Sequence, residues 1–199
     1  MKKVLNVGGN NRGIPLPPEY DNGWKQVILD VDDRGDPDIV CDARELTDLE
    51  GGRFDAVYCS HTLEHFYRHD VPKVLAGFRH VLTGGGFADI RVPDLKALFR
   101  VVSENDLDID DELYEAPIGT VTVRDVIYGY GEEIERSGSD WFAHKTGFSP
   151  QSLRRILNRC GFRWVYLSTG NLEVRAVALE QKPGGWVREL FGLPEPKEP

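Results

Sequence analysis

Lys2-Lys-Val-Leu-Asn-Val7 runs into Gly8-Gly9-Asn10-Asn11, Gln26-Val-Ile-Leu29 runs into Asp30, and Asp38-Ile-Val-Cys41 runs into Asp42. Three short apolar runs, each stopped by glycines or an acid, read as parallel strands buried on both faces. Open α/β sheets bind ligands at the ends of such strands, so the punctuation itself marks a site. Gly8 and Gly9 let a backbone approach a ligand that a Cβ would hold away. A carboxylate closing the second run can accept both hydroxyl protons of a ribose, which offers two donors side by side. The pattern therefore predicts a nucleoside-containing ligand. Asp30 is the expected ribose acid, and Asp32 is near enough to replace it.

Composition sets the surroundings of that site. A chain of 199 residues, 40% hydrophobic and 29% charged, has the make-up of one globular domain with a sizeable core. The net charge of -9 argues against a nucleic-acid backbone as the main partner, which would need clustered Lys and Arg. No apolar run approaches the roughly 18 to 20 residues of a membrane span, and no secretory leader is visible, so the expectation is a cytoplasmic protein. Cys41, Cys59 and Cys160 are scattered, odd in number and mostly inside apolar runs, which predicts reduced thiols without a metal or redox motif. Nothing in the sequence sets an oligomeric state.

Outward from the first strand, Pro15, Pro17 and Pro18 exclude a normal helix between the first two strands. The spacing predicts a loop there, with one turn near Pro18-Glu19-Tyr20 and Trp24 anchoring its far end. Phe54-Asp-Ala-Val-Tyr-Cys59 reads as a fourth strand. A helix follows, with Asp70 as N-cap, Pro72 in its first turn, and Val71, Val74, Leu75, Phe78, Val81 and Leu82 at helical spacing. Gly84 to Gly86 read as its stop, Phe87 to Val92 as a fifth strand, and Asp94 as the cap of another amphipathic helix. Residues 104–144 break the alternation and are expected to form a substrate-covering insertion, in which Thr122 and Asp125 suggest a capping box. Ser149-Pro150 starts a helix closed by Gly161, and Phe162–Leu167 with Leu172–Leu179 fit an antiparallel hairpin. Residues 183–199 form a proline-rich tail, expected to pack loosely or to meet a partner.

The strand ending in glycines, the acid after strand two, Asp42-Ala43 after strand three, and Phe54-Asp-Ala-Val-Tyr-Cys-Ser-His-Thr-Leu-Glu-His65 leading to Val81-Leu-Thr-Gly-Gly-Gly-Phe87 together resemble the class I S-adenosylmethionine-dependent methyltransferases, type 11 branch. His144-Lys-Thr-Gly-Phe-Ser149 is similar to the closing part of that branch. The resemblance implies a Rossmann-like, doubly wound, mostly parallel seven-stranded sheet with a C-terminal antiparallel hairpin in a domain spanning 1–182. It implies S-adenosyl-L-methionine as cofactor. Gly8, Gly9 and Asn10 would lie under the methionine part, Asp30 or Asp32 at the ribose, Asp42 and Ala43 at the adenine, and Ser60 and His61 near the sulfonium. Asn6, where the family carries an acid, and Thr83, where a proline is common, depart from its pattern.

Methyl transfer from a sulfonium to an oxygen or nitrogen nucleophile needs mainly positioning, and a base only when a proton must leave. His61 and His144 are the candidate bases, and Arg91, Asp94, Tyr128 and His144 the candidate substrate contacts. Family members act on small molecules, sugars and lipids. His61-Thr-Leu-Glu64-His65 also fits an inverted zinc-protease pattern, set aside because it follows a strand rather than lying inside a helix, so no metal is expected. A nicotinamide oxidoreductase would need glycines opening a helix to hold a pyrophosphate, and here they open a proline-rich loop. The remaining alternative is a degenerate cofactor-binding module that serves as a partner subunit.

Overall fold

Val4 and Leu5, adjacent in the first strand, are both fully buried, so the sheet they begin is covered on both faces. In the computed structural model, which describes residues 1–9, 12–116 and 119–195, that strand is β1 (Lys2–Val7), followed by β2 (Trp24–Asp30), β3 (Ile39–Val40), β4 (Phe54–Ser60) and β5 (Leu82–Pro93). A hairpin, β6 (Glu112–Ala116) with β7 (Gly119–Thr122), stands apart, and β8 (Trp164–Gly170) and β9 (Glu173–Leu179) close the chain's main sheet. The sheet order is β3-β2-β1-β4-β5-β9-β8, with β9 antiparallel to both its neighbours and the other six strands running in one direction. Strand order reverses between β1 and β4, where Val7 and Cys59 lie side by side at the strand ends. This is the expected Rossmann-like sheet with its C-terminal hairpin.

One face is covered in the ordinary way. Helix α1 (Val71–Val81) and helix α5 (Pro150–Arg159) pack Val74, Leu75, Phe78, Leu153 and Leu157 against Leu5, Val57 and Ile90. The other face has no such helix beside β1 and β2, because the proline-rich crossover allows only a 3-10 turn at Pro18–Tyr20. Its cover is aromatic instead: Tyr20, Trp24 and Phe87 meet edge-to-face or tilted, joined by Trp186 and Phe191 of helix α6 (Gly185–Phe191). The expectation of a loosely packed tail is corrected here, since Val187 is fully buried. An ionic clamp holds the loop down as well. Arg175 donates to both oxygens of the buried Asp89 at 2.8 Å and to Glu19 at 2.8 Å, while the Tyr20 hydroxyl donates to Asp89.

Three local readings also change. Gly84 to Gly86 lie within β5 rather than ending a helix; the strand bulges there, with Leu82 opposite Phe54 and Phe87 opposite Ala56. Asp70 precedes α1 without capping it, because its carboxylate pairs with Lys73 at 2.9 Å and Arg44 at 3.5 Å. The insertion holds two helices rather than one, α3 (Val123–Tyr128), opened by the expected Thr122–Asp125 capping box, and α4 (Gly131–Ser137). Gly129, at φ 96°, separates them, and a side chain there would overlap Phe142 O. Helix α2 (Leu95–Asn105) seats the insertion, with Leu98 packed on Val121 and Val126. Among the described residues no helix is long and apolar enough to cross a membrane.

Candidate functional site

A cavity of about 330 Å³ opens at the strand ends, lined by Gly8, Asp30, Asp42, Ala43, Thr62 and Phe66 among others. Gly8 follows β1 at φ 77°, its amide donating to Leu29 O at 2.8 Å, and a Cβ there would overlap Thr62 Oγ1. The turn is thus glycine for two reasons, a left-handed backbone and a neighbour in contact. Asp30 is the last residue of β2, buried, and its Oδ1 accepts the Asp32 amide at 2.9 Å. Burial raises its pKa, and the amide bonds it accepts only partly offset that. Asp32 lines the cavity too, but Arg34 donates to both its oxygens, which holds its pKa below the usual range. Asp42 is clamped similarly by Arg44 and caps the 3-10 turn at Ala43–Asp48; burial pushes its pKa up, but the Arg44 contacts more than reverse this. Trp141, Phe142 and Lys145, all from beyond residue 140, cover the cavity.

Sequence reasoning placed Gly9 and Ser60 at this site, yet neither is in the cavity wall. Gly9 packs behind the turn, where a Cβ would overlap the Asn6 amide. At the end of β4 the wall residue is Thr62, whose hydroxyl donates to Val7 O and Ser60 O, so it ties the ends of β1 and β4 together. Asn10 lies outside the described residues.

A second, larger cavity of about 1020 Å³ lies beyond a wall that both share, made of His61, His65 and Phe142. The insertion supplies Leu113, Tyr114, Val121, Val126 and His144 to it, and the β8–β9 turn supplies Leu172 and Glu173. Both residues of that turn, Asn171 and Leu172, hold a left-handed backbone, at φ 51° and 58°, uncommon for a leucine. Of the four expected substrate contacts only His144 reaches the wall. Asp94 is consumed as the cap of α2, accepting the amides of Lys96 and Ala97 at 3.0 and 3.2 Å. Arg91 lies 5.5 Å over the Tyr58 ring and 3.9 Å from Asp89. Tyr128 is 56% exposed, and Tyr130 lines the cavity in its place.

The family model described as "Methyltransferase domain" matches residues 24–89, from β2 to the middle of β5. Over that third of the chain the sequence is similar to the type 11 methyltransferases. Solved structures share its fold. A SAM-dependent methyltransferase from Archaeoglobus fulgidus is 17% identical at a TM-score of 0.54, over 89% of this chain and 85% of that one. The PH0226 protein from Pyrococcus horikoshii OT3 is 17% identical at 0.59, over 90% and 82%. A Burkholderia thailandensis 1,6-didemethyltoxoflavin-N1-methyltransferase, solved with that compound and S-adenosylhomocysteine bound, is 16% identical at 0.51, over 89% and 69%. No curated protein matches the chain.

The wall shared by the two cavities carries an unusual set of charges. His61, at φ 50°, sits between two carboxylates, with Nε2 3.0 Å from Glu173 and Nδ1 3.5 Å from Glu64. Burial alone would lower its pKa, but the bond to Glu173 and the Glu64 contact raise it to about 10. Held between two carboxylates, the half-exposed ring is favoured as the imidazolium, a form with no lone pair to accept a proton. For His144, burial outweighs the attraction of Glu64 and lowers the pKa, so the ring is neutral. Its Nδ1–H donates to Val126 O at 3.0 Å, and its Nε2 is 4.0 Å from Glu64 rather than aimed at open space. That orientation suits a ligand or a structural partner better than a base. Glu64 is fully buried; burial pushes its pKa up, but the His61 contact reverses this and keeps it ionised. Sequence reasoning missed Thr62, Phe142 and Glu173. Thr62 alone carried a local signal, as a hydroxyl two residues past the end of a strand.

Proposed function

We propose that this enzyme transfers the methyl group of S-adenosylmethionine to an oxygen or nitrogen nucleophile of a small molecule, sugar or lipid held in the second cavity. The observation that carries this reading is the common wall of His61, His65 and Phe142, which sets two cavities back to back and so supports a donor site in one and an acceptor site in the other. The residues of the first cavity fit the cofactor. Asp30 forms no ion pair among the described residues, so its carboxylate is available to the ribose hydroxyls, whereas Asp32 is committed to Arg34. Gly8 allows close backbone approach for the methionine part. Asp42 keeps acceptor capacity beside Arg44 for the adenine amino group, since a carboxylate offers about four lone-pair sites, and Ala43 N–H can serve the ring. Bound there, the sulfonium supplies an activated methyl group.

The protein's part is positioning, worth up to about 7–11 kcal/mol when reacting atoms are held in line. Apolar side chains from the insertion and Phe142 exclude water from the acceptor side, and neither His61 nor His144 is assigned as a base. The test is calorimetric titration with S-adenosylhomocysteine, with NADH in a parallel cell. Micromolar binding of the first and silence with the second support the reading; silence with both would leave a degenerate domain that serves a partner subunit. A screen of acceptors by S-adenosylhomocysteine release then separates oxygen from nitrogen nucleophiles and names the substrate class.

A further inference from the structure

A buried carboxylate lies next to the shared wall. Glu64 is 0% exposed, and neither of its carboxylate oxygens has a hydrogen-bond partner. A buried charge left so is costly unless a cation or a donor completes it. His61 is its nearest cation at 3.5 Å, but that ring is turned to Glu173, to which it is closer at 3.0 Å. Two further histidines border the same carboxylate. His144 Nδ1 lies 3.0 Å from Val126 O and His65 Nδ1 lies 3.1 Å from Ala143 O. A carbonyl oxygen can only accept, so both Nδ1 atoms donate, which leaves the Nε2 side of each ring turned toward the wall. His144 Nε2 lies 4.0 Å from Glu64 Oε1, and His65 Nε2 lies 3.1 Å from His61 O, a contact that a metal ion would displace.

We propose that Glu64, His65 and His144 bind one divalent transition-metal ion of the zinc class between the two cavities. Ligating atoms of the three lie within 4.8 Å of one another. Metal bonds of about 2.1 Å in a tetrahedron set ligands about 3.4 Å apart, so the site closes by roughly an ångström of side-chain rotation. The outer contacts are those metal-bound histidines make: each donates its other ring N–H to a backbone carbonyl, which fixes the tautomer and the ring's direction. His61 plays the matching part for the carboxylate. Two histidines and a glutamate leave a fourth position open, and His65 and His144 both border the second cavity, which gives entry from solvent. An acceptor hydroxyl taking that position would lose its proton more readily, which would make a protein base unnecessary. The ligand set differs from the sequence pattern at 61–65: His61 is diverted to the carboxylates, and His144 arrives from 79 residues beyond His65.

The experiment uses the full chain, stripped with chelator and titrated with Zn²⁺ by calorimetry, with thermal unfolding measured in parallel. One equivalent should bind at micromolar affinity or tighter and raise the melting temperature. Glu64→Gln and His144→Ala should each weaken binding at least tenfold, and His69→Ala, an exposed histidine outside the cluster, should not. Where a variant fails to fold, the Co²⁺-loaded wild-type protein decides: its visible spectrum should report nitrogen and oxygen ligands without a thiolate charge-transfer band. Absence of Zn²⁺ binding to the wild-type protein would overturn the site. Binding that survives in both variants, or a thiolate band, would overturn it as well.

Discussion

The floor of the first cavity is made by residues within three positions of a strand end: Gly8 after β1, Asp30 closing β2, Asp42 and Ala43 after β3, Thr62 after β4. The second cavity is assembled differently. Ile14 comes from the proline-rich loop, Leu113 to His144 from the insertion, and Leu172 and Glu173 from the turn of the C-terminal hairpin. A strand end is announced by local punctuation, because the chain must stop pairing and turn there. A wall made by packing distant segments is announced by nothing local. On the proposed function, the donor half is therefore set by the sheet and the acceptor half by what is laid over it, where substrate choice can vary without disturbing the cofactor.

The largest expected effect tests the donor half. Asp30→Ala removes two charge-assisted hydrogen bonds to the ribose, each worth about 1.5–3 kcal/mol. Affinity for S-adenosylhomocysteine should fall at least about 100-fold by calorimetry, with no loss of melting temperature, since a buried carboxylate of raised pKa is relieved. Asp32→Ala should weaken binding far less. The reverse ranking would move the ribose to Asp32 and break the strand-end rule. Next in size is Gly8→Ala, which meets both the φ of 77° and Thr62. It should cost about 1–3 kcal/mol in urea unfolding. Gly8→Ala/Thr62→Ala should recover the steric share and keep about 1 kcal/mol of backbone strain; full recovery would show that only the contact matters.

These two positions were legible because a glycine or an acid at the end of an apolar run has few other reasons to be there. The same holds for the Thr122–Asp125 capping box and for Gly161 at φ 95°, each a local device with a local signature. Thr62, Phe142 and Glu173 were not legible: Glu173 becomes a site residue by contact with His61, 112 positions away. His144 was picked out as a chemically able residue, but its orientation toward Glu64 exists only in three dimensions. The tail did carry a signal. Trp186, Val187, Leu190 and Phe191 repeat at helical spacing, but the bare sheet face that needs them follows from the missing helix between β1 and β2, and that inference spans the whole chain.

A smaller effect asks whether the two halves are separable. Trp141 lines only the first cavity and is 42% exposed, so Trp141→Ala should weaken S-adenosylhomocysteine about 3- to 10-fold through lost cover. Tyr114 lines only the second, and Tyr114→Ala should leave that affinity unchanged while altering which acceptors turn over. Equal losses in both variants would mean that the cavities behave as one.

The smallest effect is one of pH, and its sign separates binding from folding. Asp30 must be ionised to accept both ribose hydroxyls, and burial sets its pKa above the ordinary aspartate value of about 3.9. Cofactor affinity should thus be flat near neutrality and decline as pH falls through that raised value, by at most tenfold per unit. Stability runs the other way for this group: the folded state holds its proton more firmly than the unfolded state, so protonating Asp30 favours the fold. Asp32 and Asp42 oppose it, because Arg34 and Arg44 hold their folded pKa values below the ordinary range and their contribution is lost only as pH falls through those lower values. Titrations at descending pH, with melting temperatures alongside, should show affinity failing first while the melting temperature holds. If the two fell together, loss of binding would report unfolding of the strand ends rather than protonation of Asp30, and the independence of the donor site from the rest of the fold would fail with it.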